Sequence, residues 1–208
     1  MQNQESHIII DKWIIMKMGL IVYLMLAIQI FATTNIKFNN TIPGVASKIK
    51  FEELNDFSID ITGNIYFLDV DLAKVFCFDK AGKLLVEVAK IQPNILKEPV
   101  SIEISKENNI IVLDADAKKV FTFSNDGTLL SSFGNSSGVL GSFDSPIDMA
   151  LDHNSNIYVV DKGNEYLLRY NDNGLFRGGV KLIDPISVEV DGAGNIHVLT
   201  KASYGYQI

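Results

Sequence analysis

Aspartates in short acidic phrases are the residues most able to do chemistry here. Asp69 and Asp71 stand in "DVD", and Asp114 and Asp116 in "DAD". Carboxylates two residues apart are a spacing used in calcium loops. "DHNSN", from Asp152, opens like a twelve-residue calcium loop, but Ile157 occupies the sixth position where such a loop needs glycine, and no glutamate closes it. Calcium on the acidic loops is therefore the one cofactor the sequence allows, and no other is expected. Two of the three histidines, His153 and His197, lie beyond the apolar leader. His153 falls in a turn, and His197 takes a strand column otherwise filled by Tyr66, Ile111 and Tyr158. No nucleophile with a base and an orienting group is discernible, and no glycine-rich phosphate loop.

What positions these residues is a repeat. "NIYFLD" begins at Asn64, "NIIVLD" at Asn109, "NIYVVD" at Asn156 and "NIHVLT" at Asn195, with spacings of 45, 47 and 39 residues. A period in this range indicates a repeat architecture. Counted from each asparagine as zero, Pro99, Pro146 and Pro185 stand at minus ten, with Leu54 in the first copy. Apolar residues fill minus seven (Phe57, Ile102, Met149, Val188) and minus five (Ile59, Ile104, Leu151, Val190). The alternation predicts a strand with one buried face. A turn with Gly63, Asn108 or Gly194 follows. The asparagine phrase is then nearly all apolar, as in a strand covered on both faces. Asp69, Asp114 and Asp161 close it at plus five, where Thr200 stands in the fourth copy. A third strand is expected from plus eleven, a hairpin turn at Gly82, Gly127 and Gly174, and a short fourth strand after it.

Four short antiparallel strands per unit of about 40–45 residues predict the blade of a β-propeller, with the proline-led strand innermost. The fold class expected is all-β. Residues 54–208 hold three complete blades and a partial fourth.

Ahead of the repeats, 19 uncharged residues lie between Lys17 and Lys37, with Ala32 near their end. An apolar stretch of this length after lysines predicts a helical signal peptide or signal anchor over 1–37. Residues 38–53 are read as a linker and a blade-closing strand. The chain is expected to work exported, periplasmic or extracellular, or membrane-anchored through this segment alone. Net charge is −7 and only two residues, Arg169 and Arg177, are arginine, so nucleic acid is not an expected partner. A single cysteine, Cys77, excludes an internal disulfide.

The segment Phe133 to Gly174, "FGNSSGVLGSFDSPIDMALDHNSNIYVVDKGNEYLLRYNDNG", resembles the NHL repeat. That pattern runs glycine-rich linker, Phe, Pro, apolar-x-apolar-Asp, Asn-apolar-Tyr-Val-x-Asp, Asn, Arg and a closing glycine. The resemblance covers roughly Leu54 to Ile208 and is looser in the other copies: Leu72, Ala117 and Ser203 replace Asn164, and Lys74 and Lys119 stand where the family often has Arg. It implies a six-bladed propeller. On that implication the sequence is an arc of a longer ring, about 100 residues short of six blades. Columns facing the gap, around Ile65, Phe67, Ile196 and Val198, are then expected to meet water, and residues 38–208 alone to aggregate or oligomerise. The motif specifies a fold and not a function; the function expected is a non-catalytic binding or scaffold module for a protein, peptide or glycan. The alternatives are a propeller enzyme, such as the peptide-amidating lyase with histidine-bound zinc, and the sensor domain of a larger envelope protein.

Alternating strands place the turns between strands two and three on one face with the blade linkers, and variable loops carry recognition. The expected ligand face presents Asp69, Asp71, Asp114, Asp116, Lys118, Lys119, Asp161, Lys162 and Asn164. No catalytic or metal-binding residue is assigned.

Overall fold

The computed structural model describes residues 51–88, 95–134, 141–202 and 205–207. The expected leader, most of the linker and its closing strand lie outside them. No helix of the described residues is long and apolar enough to cross a membrane. The described residues contain strands and turns only.

Strands β1 (Leu54–Ile59), β2 (Ile65–Asp69), β3 (Lys74–Phe78) and β4 (Leu84–Val88) form the first sheet. β5 (Pro99–Ile104), β6 (Ile110–Asp114), β7 (Lys119–Phe123) and β8 (Leu129–Phe133) form the second. The third contains β9 (Pro146–Leu151), β10 (Ile157–Asp161), β11 (Tyr166–Tyr170) and β12 (Phe176–Lys181). β13 (Pro185–Val190), β14 (Ile196–Ala202) and β15 (Gly205–Gln207) make a three-stranded fourth sheet. Every pairing is antiparallel between consecutive strands, and the registers repeat: Ile110 faces Phe123 as Ile157 faces Tyr170.

Each sheet has two apolar faces, and their division follows from the two-residue period of a strand. Columns plus two, four and eleven face the following blade. Tyr66, Leu68 and Val75 of the first sheet pack on Ile102, Ile110 and Val112 of the second. Ile111, Leu113 and Val120 pack in the same way on Met149, Ile157 and Val159 of the third. Tyr158, Val160 and Leu167 meet Val188 and Val198 of the fourth. Successive blades thus share sandwich cores, and near-continuous apolar strands are the consequence. Val198 packs toward the third blade, so the expectation that it looks onto a gap is corrected; Ile196 is exposed as expected, and Ile65 and Phe67 face away from any described blade.

A further column was not read from the sequence. At minus thirteen the linkers place Phe51, Leu96, Phe143 and Leu182 against the backward face of their own blades. Phe143 is fully buried, 5.5 Å from the Tyr170 ring in an edge-on contact. Phe51 covers Phe76 and Phe78 of the first blade, 5.2 Å from the Phe76 ring. Each linker is therefore stapled by one large side chain before the innermost strand of its blade begins.

Near the axis the innermost strands are joined by a polar ladder at minus eight: Asp56, Ser101, Asp148 and Ser187. Asp148 is buried and links three blades, accepting from the hydroxyls of Ser101 (3.3 Å) and Ser187 (2.6 Å) and from Val188 N–H (3.0 Å). Asp56 accepts from Ile102 N–H at 2.9 Å. A bulge before this column shifts the register in all four sheets. It re-aims the residue at minus nine, as bulges do at functional rims.

Candidate functional site

The two faces of the arc carry two sets of aspartates held in different ways. On the loop face, Asp69, Asp114 and Asp161 are 0% exposed. Each carboxylate accepts two backbone N–H groups from the linker and one from its own turn. For Asp114 the donors are Lys97 at 2.6 Å, Glu98 at 3.1 Å and Ala117 at 2.8 Å. For Asp161 they are Asp144 at 2.7 Å, Ser145 at 2.9 Å and Asn164 at 3.2 Å. The Asn164 side chain adds a bond to Asp161 at 2.8 Å and one to the Ser142 carbonyl at 3.1 Å. Asp69 repeats the pattern with Glu52, Glu53 and Leu72. These carboxylates are buried anchors that tie a turn to a linker, so they do not reach the surface where the sequence pattern placed them.

The remaining predicted side chains lie closer to solvent. Asp71, Asp116, Lys162 and Asn164 are exposed, and Lys118 and Lys119 half-buried. Lys118 takes a left-handed backbone, φ 53°, as do Ala73 and Glu165 in the same column. That conformation ends the turn and returns the chain to the third strand. Three lysines each find an aspartate: Lys97–Asp116 at 3.4 Å, Lys118–Asp144 at 3.1 Å and Lys162–Asp184 at 3.2 Å. Exposed pairs of this kind contribute little stability, but they fix which charges face outward.

Two members of the predicted set, Asp116 and Lys118, come together at a depression of about 460 Å³ in the loop face. Its apolar part is Val100, Ala115, Pro146 and Ile147. Its polar part adds Asn55, Glu98, Asp144 and Ser145. Asn55, Val100 and Ile147 are the bulge residues at minus nine. The bulges therefore turn one side chain from each of three blades into one site. Asn55 is fixed there by donating to the Val100 carbonyl at 2.9 Å. Asp144 can lie close to the neighbouring turn because residue 163 is glycine: a Cβ there would stand 2.4 Å from its carboxylate oxygen. Asn55, Val100 and Ile147 were missed by sequence reasoning, whereas Glu98 and Asp144 lie in linkers it put on this face without singling them out. The signal available was the fixed offset of minus nine from each asparagine.

The hairpin face is built differently. Asp60, Asp152 and Asp191 cap the first hairpin of their blades. Asp152 accepts from the N–H groups of Asn154 and Asn156, at 2.8 and 2.9 Å, and from the Asn156 side chain at 2.7 Å. Tyr158 donates its hydroxyl to the same carboxylate at 3.1 Å. His197 replaces that tyrosine in the fourth sheet, its Nε2 lying 3.1 Å from Asp191. Burial pushes the Asp60 and Asp152 carboxyls up, and the hydrogen bonds from Thr62 and Asn64, or Asn154, Asn156 and Tyr158, more than offset it, so both end below the usual range. The bonds from Asn195 and His197 hold Asp191 lower still. Burial raises Tyr66 and Tyr158. His153 Nε2 lies 2.9 Å from the Gly192 carbonyl, joining the hairpins of the third and fourth sheets. Both histidines thus brace hairpins on the face opposite the depression. Among the described residues, no group of three or more His, Cys, Asp or Glu stands together to hold a metal ion.

No protein-family model matches the sequence, and no curated protein matches it. Solved structures do match. A streptogramin B lyase is similar with 12% identity and a TM-score of 0.59, over 77% of this chain and 55% of that one. Hydrazine synthase from Kuenenia stuttgartiensis gives 14% and 0.61, over 78% and 46%. A protein of unknown function from Bacteroides caccae gives 18% and 0.55, over 74% and 55%. Together with the repeated four-stranded sheets, this likeness decides the architecture. The fold is that of a β-propeller. The chain spans about half the length of these structures, and at such identities the likeness concerns the fold alone.

Proposed function

We propose that this chain is part of an NHL-type β-propeller that serves as a binding or scaffold module, exported or membrane-anchored through its N-terminal segment. Its loop face would recognise a protein, peptide or glycan. The observation that carries this reading is the depression between three blades, where bulge residues and linker residues converge on an apolar floor with a charged rim. Concave sites of mixed lining at such junctions are the usual form of a ligand site. Of the predicted face, Asp116 and Lys118 line it. Lys119 follows them in the same turn, Asp71, Lys162 and Asn164 belong to the corresponding turns of the first and third blades, and Asp69, Asp114 and Asp161 tie the three turns to their linkers.

The test is binding of the full chain to peptide and glycan arrays, compared with Ile147→Arg, which puts a long cation into the depression. Hits lost in the variant support the reading. Hits retained unchanged would contradict it. A metal-dependent lyase is the rival reading, suggested by the streptogramin B lyase fold. Placement of His153 and His197 on the hairpin face speaks for binding instead. Cleavage of a streptogramin B antibiotic by the full chain would decide for the enzyme.

A further inference from the structure

We propose that the depression takes a cationic side chain, a lysine or arginine of a partner peptide, in preference to a glycan or an anionic ligand. This rests on the reading that the depression is a binding site. Its charged lining consists of three carboxylates, Glu98, Asp116 and Asp144, against one ammonium, Lys118. Lys118 is already committed to Asp144 at 3.1 Å, and Asp116 is engaged by Lys97 at 3.4 Å. Glu98 is exposed and has no ion-pair partner among the described residues. Its backbone is fixed, with its N–H on the Asp114 carboxylate and its carbonyl accepting from Ala115 N–H at 2.8 Å. The carboxylate is thus held at the rim by a rigid main chain while remaining free to turn toward a ligand.

The floor selects further. Val100 and Ile147 offer apolar surface next to that carboxylate. Lysine and arginine lay their methylene stems on such surface and keep the charged head at a polar edge. A glycan would leave these apolar groups poorly matched, and an anion would meet the uncompensated Glu98 carboxylate. The chain's net charge of −7 adds long-range attraction for a basic partner.

The experiment is fluorescence anisotropy of the full chain with three labelled hexapeptides that differ only at a central Leu-Lys, Leu-Gln or Leu-Glu pair, at low and at physiological salt. The Leu-Lys peptide should bind tightest and weaken with salt. Glu98→Gln should weaken it by up to about five-fold, the range of one exposed ion pair, and weaken Leu-Gln binding clearly less. Glu98→Lys should reverse the preference. Equal or tighter binding of Leu-Gln or Leu-Glu, or no response to either Glu98 variant, would overturn the proposal. If Ile147→Arg, melting like the parent protein, abolishes binding of the Leu-Glu peptide or of a glycan, the depression stands as a site and only the cationic class falls. If Leu-Lys binding ignores both Ile147→Arg and Glu98→Gln, the site falls as well.

Discussion

The loop face and the hairpin face use the same residue type for opposite ends. On the loop face the aspartate lies inside the turn, fully buried, with its carboxylate filled by backbone N–H groups. The side chains it organises, not the aspartate itself, reach the surface. On the hairpin face Asp60, Asp152 and Asp191 sit nearer solvent and take a side-chain amide and a tyrosine or histidine in addition to backbone donors. Three identical letters in a repeat column therefore show a shared structural duty before they show a binding site.

The largest expected effect breaks this comparison at its centre. Asp161→Ala leaves three backbone donors and the Asn164 amide without their acceptor in a buried place. We expect a loss of about 3–5 kcal/mol, by analogy with breaking a buried charged network. Asp152→Ala should cost less than half of that, because water can replace the carboxylate. Urea unfolding of both variants checks the order, and equal losses would remove the distinction between the faces.

Next comes a test between blades. Ile157 and Ile196 occupy the same column, yet Ile157 is 1% exposed and Ile196 41%. Tyr170 lies opposite Ile157, whereas β15 pairs with β14 only from Thr200 to Ala202. Ile157→Ala should cost about 2–5 kcal/mol, the range for a fully buried isoleucine. Ile196→Ala should cost clearly less, again read from urea unfolding.

Smaller effects sharpen the hairpin side. Tyr158→Phe removes the hydroxyl bond to Asp152 and should cost about 0.5–1.5 kcal/mol. Acid should act on the same set. Asp60, Asp152 and Asp191 have folded pKa values below the ordinary 3.8. Their ionised forms favour the fold, so their contribution is complete above that value and is lost as pH falls through the lower folded values. Melting temperature followed from pH 6 to pH 2 should drop most steeply below about pH 4. The drop should be shallower in Asp152→Asn. A variant with the parent slope would show that this carboxylate carries none of the acid sensitivity.

Much of the fold was legible because strand periodicity and turn chemistry agree in every copy. The glycines at plus eighteen all take positive φ, from 75° to 88°, as the second hairpin requires. The proline-led strand is innermost, and the apolar strand of the asparagine phrase is buried on both sides in the second and third sheets. The minus-thirteen staples were harder to see, because they lie in linkers of unequal length, where columns counted forward from the previous blade lose register. The Asp148 ladder alternates Asp and Ser, so no single letter marks it. The site was legible only as a face. Loop-face location follows from strand alternation, and two of the nine residues it put there, Asp116 and Lys118, line the depression. Which carboxylates are buried depends on the backbone N–H groups of a linker 16 or 17 residues earlier, and spacing alone does not reveal that.

The central claim is that recognition belongs to the loop face and bracing to the hairpins. Photo-cross-linking tests it most directly, using the full chain and the Leu-Lys hexapeptide carrying a benzophenone, with adducts mapped by mass spectrometry. The account predicts adducts within 98–100, 115–118 and 144–147. Adducts concentrated at the hairpins, within 60–64, 105–109 and 152–156, would contradict it.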